Sequence, residues 1–543
     1  MRPLRAVLVA GLLVVASGCS TSPGSDSSSD ARTYFDSYPE RQDESTAGGT
    51  VTGDSAGSST SSGSTGSTGS TAVPPRPPRT VPVPEAPEAP GPLDDNTFVD
   101  AGTSGFVDAR QQPRSTFAAD VDTGSYRVAR ALLADGKRPP PESVRVEEWV
   151  NAFDSGFPAP TRADLELRSD QAVAPGSTDG TRLVRIGLQA RDVDEQEWPP
   201  VALTMVVDTS GSMDIRERLG LVRASLALLV ESLRPSDTIA VVTYESDAEP
   251  LLEPTPVRDA DTILSAIDRL RAGGSTNLEA GLLLGYDRAR TAYRSGATNV
   301  VLLASDGVAN VGTTDGGRLA TAIRDNGRRG IHLVTVGYGM GNYNDDLMEQ
   351  LADRGDGFYA YVDTFEEARR LFVEDLRSTL TPVAKDAKIQ VEFDPETVSE
   401  YRLVGYENRA LAEEDFDDDA VDAGEVGAGH RVTALYEVRP TAQAERGDRL
   451  GTVRVRWRSV DGGEGREDAL ALELGPGAQP GGTLGVAAAV ADVARFVKGG
   501  TGGEGSEQLD PDGLQRRVRA LVQAGAPGAR ELDSLLTDVV AAR

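Results

Sequence analysis

The 543-residue chain has a single cysteine, Cys19, which excludes a disulfide framework and any Cys-cluster zinc or iron–sulfur site. Histidine is almost as scarce: only His332 and His430 are present, leaving little for His-dependent catalysis. Positive charge is in deficit, with 55 Lys and Arg against 85 Asp and Glu and a formal net charge of −30. A nucleic-acid binder replaces phosphate counterions with Lys and Arg, and a basic surface is what attracts anionic lipid, so both functions are disfavoured. No P-loop or nucleophile elbow occurs; GYGMGN (337–342) lacks the dinucleotide-binding spacing and reads as a loop, not a nucleotide site. Aromatic residues make up only 5%, while Gly (59) and Pro (32) are abundant, so part of the chain stays outside any core.

What is present begins with a leader. MRPLRAVLVAGLLVVASGC (1–19) has Arg2 and Arg5, then an apolar stretch, then small residues, which is a secretory signal too short to span a bilayer. The lone cysteine follows Ala16-Ser17-Gly18, where the cut would fall. This resembles the lipobox of bacterial lipoproteins, with Ala16 where that family prefers Leu. The resemblance implies lipidation of Cys19 and an anchored, extracytoplasmic chain in the cell membrane or outer membrane; acyl chains on one residue would hold it there. Residues 20–92 are Ser/Gly-rich and then Pro-rich, and are expected to form a structureless tether.

From about residue 199 to 381 the pattern becomes regular. VALTMVV, DTIAVVTYES, NVVLLASDG and IHLVTVGYG are short β-rich runs, and amphipathic helical stretches alternate with them. That alternation predicts an α/β fold, a doubly wound and mostly parallel sheet covered on both faces. Ligands bind such sheets at the carboxyl ends of the strands. There the sequence places Asp208-Thr209-Ser210-Gly211-Ser212, Gly273-Gly274-Ser275-Thr276-Asn277 and Ser305-Asp306-Gly307. Carboxylates and hydroxyls with no imidazole or thiolate form a hard oxygen set, suited to Mg²⁺, Mn²⁺ or Ca²⁺.

DTSGSM, GGSTN and SDG in this order resemble the metal-ion-dependent adhesion site of von Willebrand factor type A domains. The resemblance implies that Asp208, Ser210 and Ser212 form the first ligand group, Thr276 the second and Asp306 the third. It also implies one open coordination position, filled by an Asp or Glu carboxylate of a protein partner. Few anionic ligands would leave the ion electrophilic enough for that.

The flanks narrow the resemblance. STFAADVDTGSY and RVEEWVNAF in residues 93–160, with YRLVGYENR (401–409) and EDFDDDAVDAGEVGAGHRVTALYEV (414–438), resemble a bacterial lipoprotein subfamily of type A proteins. That subfamily has a characteristic N-terminal extension and an uncharacterised C-terminal domain. SYRVARALLADG and VRVEEWVNAF read as helices. Alternating stretches in 161–198 and in 382–478 read as strands, expected to form one β-sandwich into which the type A domain is inserted. Residues 479–543 read as two or three amphipathic helices, a small cap. The acidic run EEDFDDDAVDAGE (413–425) has a calcium loop as its functional reading, but it lacks the EF-hand order and central Gly and reads as a solvated loop; a carboxylate donor for another molecule's metal site is the further alternative.

These readings converge on a lipid-anchored, non-enzymatic protein that binds a protein ligand through a divalent ion. No nucleic acid or nucleotide is expected, and the membrane is met through the N-terminal lipid. The alternative is an envelope scaffold with a purely structural ion. A metal-assisted hydrolase would need a general base near the ion, and none is evident.

Overall fold

The structure is a computed structural model that describes residues 28–39, 98, 100, 102–119, 121–194, 198–307, 316–339, 345–376, 380–419, 421, 423–460, 465–499 and 510–542. The expected signal with Cys19, and residues 20–27 and 40–92 of the expected tether, lie outside them.

Among the described residues the first element is helix α1 (Ser28–Asp36), then come strands β1 (Val107–Asp108) and β2 (Arg114–Ala118) and helices α2 (Gly124–Ala134) and α3 (Val146–Asn151). Strands β3 (Leu165–Val173) and β4 (Arg182–Ala190) follow. An α/β domain comes next: β5 (Val201–Asp208), a π-helical turn (Arg216–Gly220), α4 (Leu221–Ser232), β6 (Thr238–Tyr244), β7 (Ala248–Pro256), α5 (Ala260–Ile267) and α6 (Leu278–Ala292). It continues through β8 (Thr298–Ser305), α7 (Gly316–Gly327), β9 (Ile331–Tyr338), α8 (Asp345–Asp353), β10 (Tyr359–Val362) and α9 (Phe365–Arg369). Strands β11 (Pro382–Phe393), β12 (Val398–Val404), β13 (Ala410–Leu411), β14 (Gly424–Gly427), β15 (Arg431–Pro440), β16 (Arg449–Arg458) and β17 (Gly465–Glu473) precede helices α10 (Gly482–Val497), α11 (Pro511–Gln523) and α12 (Ala529–Ala541).

The central sheet has the order β10-β9-β8-β5-β6-β7, parallel except for β7. Its middle strands are buried along their whole length, as VALTMVVD and TNVVLLAS require when helices cover both faces. One face packs α4, α5 and α9, the other α6, α7 and α8. The topological switch lies where β5 sits between β6 and β8, which places the Asp208 and Asp306 loops side by side.

The two flanks do share sheets. β15 pairs with β4, from Arg431↔Gln189 to Val438↔Arg182, in the sheet β1-β12-β15-β4-β3. β11 pairs with β2, from Lys388↔Ala118 to Glu392↔Arg114, in the sheet β13-β2-β11-β16-β17. Their inner faces close on one core containing Phe117, Ile186, Leu188, Val391, Tyr436 and Val453. The α/β domain is thus inserted in a sandwich made from both sides of it.

The helices of 93–160 do more than extend the chain. Along α2, Val128 and Leu132 enter the α/β core, while Tyr126, Ala129 and Leu133 join Trp149 of α3 and the C-terminal helices in a separate core. One short helix therefore presents two apolar faces to two partners. The expected cap has three helices and is completed by α2 and α3, a union the local pattern does not reveal. Arg409 reinforces the junction, bonding Glu349 at 2.6 Å and Asp353 at 2.8 Å, both on α8. Arg145 pairs with Glu148 and with Glu349 in the same buried network.

The expectation of a structureless tether over 20–92 needs one correction. Helix α1 lies inside that range, and Ala31 within it is fully buried in the α/β core. Its aromatic residues give this stretch the apolar face that the Ser/Gly tract lacks. Among the described residues no helix is long and apolar enough to cross a membrane.

Candidate metal centre

Strand β5 ends at Asp208 because the sheet's carboxyl edge is reached there. The next residues turn sharply, with the Ser210 amide donating to Asp208 Oδ1 at 2.9 Å. Ser210 Oγ and Ser212 Oγ stand 3.0 Å apart. The second loop is laced to the first: Gly211 N donates to Gly274 O at 3.2 Å, and Gly273 N to Thr209 O at 2.8 Å. Gly274 has φ +72°, and a Cβ there would collide with the Glu245 side chain, so glycine is required. Thr276, which follows, is buried at 3% exposure. Asn277 caps α6 by accepting from the Ala280 amide at 3.1 Å.

Asp208 and Asp306 are both fully buried. Ser305 donates to Asp208 Oδ2 at 2.8 Å, and the Tyr244 hydroxyl donates to the same oxygen at 3.2 Å. Burial, and then the charge of Asp306, push Asp208 up to about 7. Burial, and then Asp208, push the Tyr244 phenol up as well. Two carboxylates so placed call for a cation.

Part of that positive charge comes from the protein. Arg218, itself only 1% exposed, donates to Asp306 Oδ2 at 2.8 Å and to the Ser212 carbonyl at 2.7 Å. It arrives from the π-helical turn, a rare geometry that re-aims one side chain. Gly339, with φ +69°, makes room for it: a Cβ there would come within 2.7 Å of Arg218 Cγ.

The structure thus brings Asp208, Ser210 and Ser212 onto one loop, sets Asp306 beside them and ties the Thr276 loop to the same edge. Cys19 lies outside the described residues. Ser305, Tyr244 and Arg218 were not legible as site residues. Ser305 lies within the SDG motif, but nothing local in RERLG points Arg218 at a residue 88 positions away. Gly211, Asp214 and Gly274 are exposed, so the edge is open to solvent. The sandwich attaches at the opposite, amino end of the strands, where Thr298, His332 and Phe358 line a shared cavity with Pro382 and His430.

No group of three or more His, Cys, Asp or Glu side chains able to hold a metal occurs among the described residues. The set at this edge is two carboxylates with hydroxyls, and it fits only a hard cation. His332 and His430 are elsewhere: His332 Nδ1 lies 2.9 Å from Asp356 O, and His430 Nδ1 accepts from Gly427 N at 3.2 Å. The acidic run is held by cations of the sandwich: Arg456 meets Asp419 at 2.9 Å, Arg114 pairs with Glu413, and Lys388 donates to the Asp415 and Asp418 carbonyls.

Comparison with known proteins shows the family of the α/β domain. The von Willebrand factor type A domain profile matches residues 202–375. A profile described as "Uncharacterized protein YfbK, C-terminal" matches 378–509, and one described as "von Willebrand factor" matches 92–185. The "Uncharacterized protein YfbK" of Escherichia coli (strain K12) is 39% identical over 391 residues, covering 67% of this chain and 68% of that protein. The chain belongs to the von Willebrand factor type A domain family. Within it, the region after the type A domain is YfbK-like. "Uncharacterized protein sll0103" of Synechocystis is 28% identical over 236 residues, covering 43% of this chain and 55% of that one. Among solved structures, a von Willebrand factor type A protein from Catenulispora acidiphila aligns over 72% of this chain and 98% of its own, with TM-score 0.41 and 16% identity. Type A domains are typically non-enzymatic modules for protein–protein interaction, and they often use a metal-ion-dependent adhesion site.

Proposed function

We propose that this chain is a lipid-anchored extracytoplasmic protein that captures a protein partner through a divalent ion. Asp208, Ser210, Ser212, Thr276 and Asp306 hold the ion, and Cys19 carries the lipid. The observation that carries this reading is the pair of fully buried carboxylates, Asp208 and Asp306, ringed by hydroxyls at an open sheet edge. The ion, Mg²⁺ with Mn²⁺ or Ca²⁺ as alternatives, would supply an electrophilic position for an Asp or Glu carboxylate. Ser305 and Tyr244 orient Asp208, and Arg218 orients Asp306, so that both carboxylates are in place beforehand.

The test uses the full chain as bait for envelope proteins in Mg²⁺ and in EDTA, with Asp208→Ala alongside. A partner lost in EDTA and in the variant supports the reading, and calorimetry should show Mg²⁺ binding only by the unsubstituted chain. A partner retained in all three conditions overturns it.

The Arg218–Asp306 ion pair favours one second reading, an envelope scaffold whose edge ion is only structural. Its partner would persist in EDTA while the fold does.

A further inference from the structure

Between residues 20 and 92 there are three aromatic residues, Tyr34, Phe35 and Tyr38, all within five positions. Ala31, Tyr34 and Phe35 share one face of α1, and Tyr38 follows in the turn just beyond it. That face meets the α/β domain: Ala31 is fully buried, and Tyr34, Phe35 and Tyr38 pack against the core under α4 and α9. Cations complete the seat. Arg216 lies over Phe35 at 5.1 Å and Arg223 over Tyr34 at 5.3 Å, while Arg32 meets Glu366 of α9 at 2.8 Å.

The seat lies behind the metal edge. The Tyr38 hydroxyl donates to Asp214 Oδ1 at 2.9 Å, two residues beyond Ser212. The π-helical turn Arg216–Gly220 is contacted from both sides. Tyr38 covers Gly220 so closely that a Cβ there would lie 2.9 Å from the Tyr38 Cβ. From the same turn, Arg218 reaches Asp306 and the Ser212 carbonyl. Docking of α1 therefore braces the turn that positions a metal-edge carboxylate.

We propose that residues 31–38 are a detachable clasp, whose docking on the type A domain is linked to ion binding. The proposal rests on the metal reading above. A nine-residue helix is too short to persist alone, so the clasp folds only while docked. Because the clasp braces the Arg218 turn, release weakens ion binding, and by reciprocity ion binding tightens the clasp.

Hydrogen exchange and Mg²⁺ calorimetry on the full chain in detergent test both halves. Ala31→Arg puts a long charged side chain where there is no room and ejects the clasp from its seat; Tyr38→Phe removes only the bond to Asp214. Amides of 31–38 should be protected in the unsubstituted chain and exchange at free-peptide rates in Ala31→Arg. Mg²⁺ affinity should fall about tenfold in Ala31→Arg and less in Tyr38→Phe, with Mg²⁺ slowing clasp exchange by the same factor. Melting of the type A domain should stay cooperative and fall only by the clasp's own docking contribution, which separates loss of the clasp from general unfolding. Free-peptide rates at 31–38 in the unsubstituted chain overturn the clasp. Unchanged Mg²⁺ affinity in Ala31→Arg overturns the linkage. Absence of Mg²⁺ binding by the unsubstituted chain defeats the metal reading and the linkage together, and persistent protection of 31–38 distinguishes this from failure of the clasp.

Discussion

The type A domain and the sandwich around it are assembled by opposite strategies. Residues 201–375 form a domain from neighbours in sequence, each strand followed by a covering helix except β6, which turns straight into β7. In the sandwich, β4 pairs with β15 across about 250 residues and β2 with β11 across a similar gap. Chain closure makes such distant pairings slow and entropically costly. The inserted domain, with its own core, shortens the gap by bringing Val201 and Asp375 to the same end. Polar chemistry divides in the same way. The type A domain gathers oxygen donors at its free edge, whereas the charges of the junction are spent on each other.

The largest effects test whether the two regions stand or fall separately. Trp149→Ala removes a fully buried indole from the core shared by α2, α3 and the C-terminal helices. It should cost about 3–5 kcal/mol. Calorimetry should show the sandwich-and-cap transition displaced and the type A transition nearly unmoved. Arg218→Met leaves the buried Asp306 without its guanidinium, a loss of similar size, about 3–5 kcal/mol without metal. Mg²⁺ should restore much of it, and denaturant melts with and without the ion read this directly.

The junction should weaken in acid. His332 and His430 line one internal cavity with Asp356 and Glu425. Burial, and then Lys385, lower His332 to about 4; burial, and then Arg431, lower His430 to about 4. Both folded values lie below the unfolded one near 6.5, so the unfolded chain binds more protons between these limits. Stability is full above about pH 6.5 and is lost as the pH falls toward 4, by up to about 1.4 kcal/mol per pH unit for each proton. The His332→Gln/His430→Gln double variant should flatten that slope in pH-dependent urea melts. The smallest effect belongs to Asn277→Ala, which removes the cap of α6 beside Thr276 and should cost about 1 kcal/mol.

What was legible tracks contact range. The strand–helix alternation of 199–381 and the DTSGSM, GGSTN and SDG loops are local signals, and the structure places each on the sheet edge where α/β sheets bind ligands. The alternation of β4 and β15 marked them as strands, and the insertion followed because both flanks carried unpaired strands. RSTFA gave no such sign: five residues of β2 become a strand only because β11 lies alongside. Tyr34 and Phe35 sit in a Ser/Gly-rich context that masks a helix whose apolar face is met by the distant α/β core.

Composition and local pattern therefore determined the class of the inserted domain and the hard-oxygen character of its edge, and the resemblance of the DTSGSM, GGSTN and SDG loops named the candidate ligands there. Periodicity and ligand chemistry are properties of residues a few positions apart. Tertiary structure decided that Arg218 compensates Asp306, that α2 serves two cores and that α1 clasps the domain. Each depends on groups far apart in sequence, brought together only when the buried surfaces close.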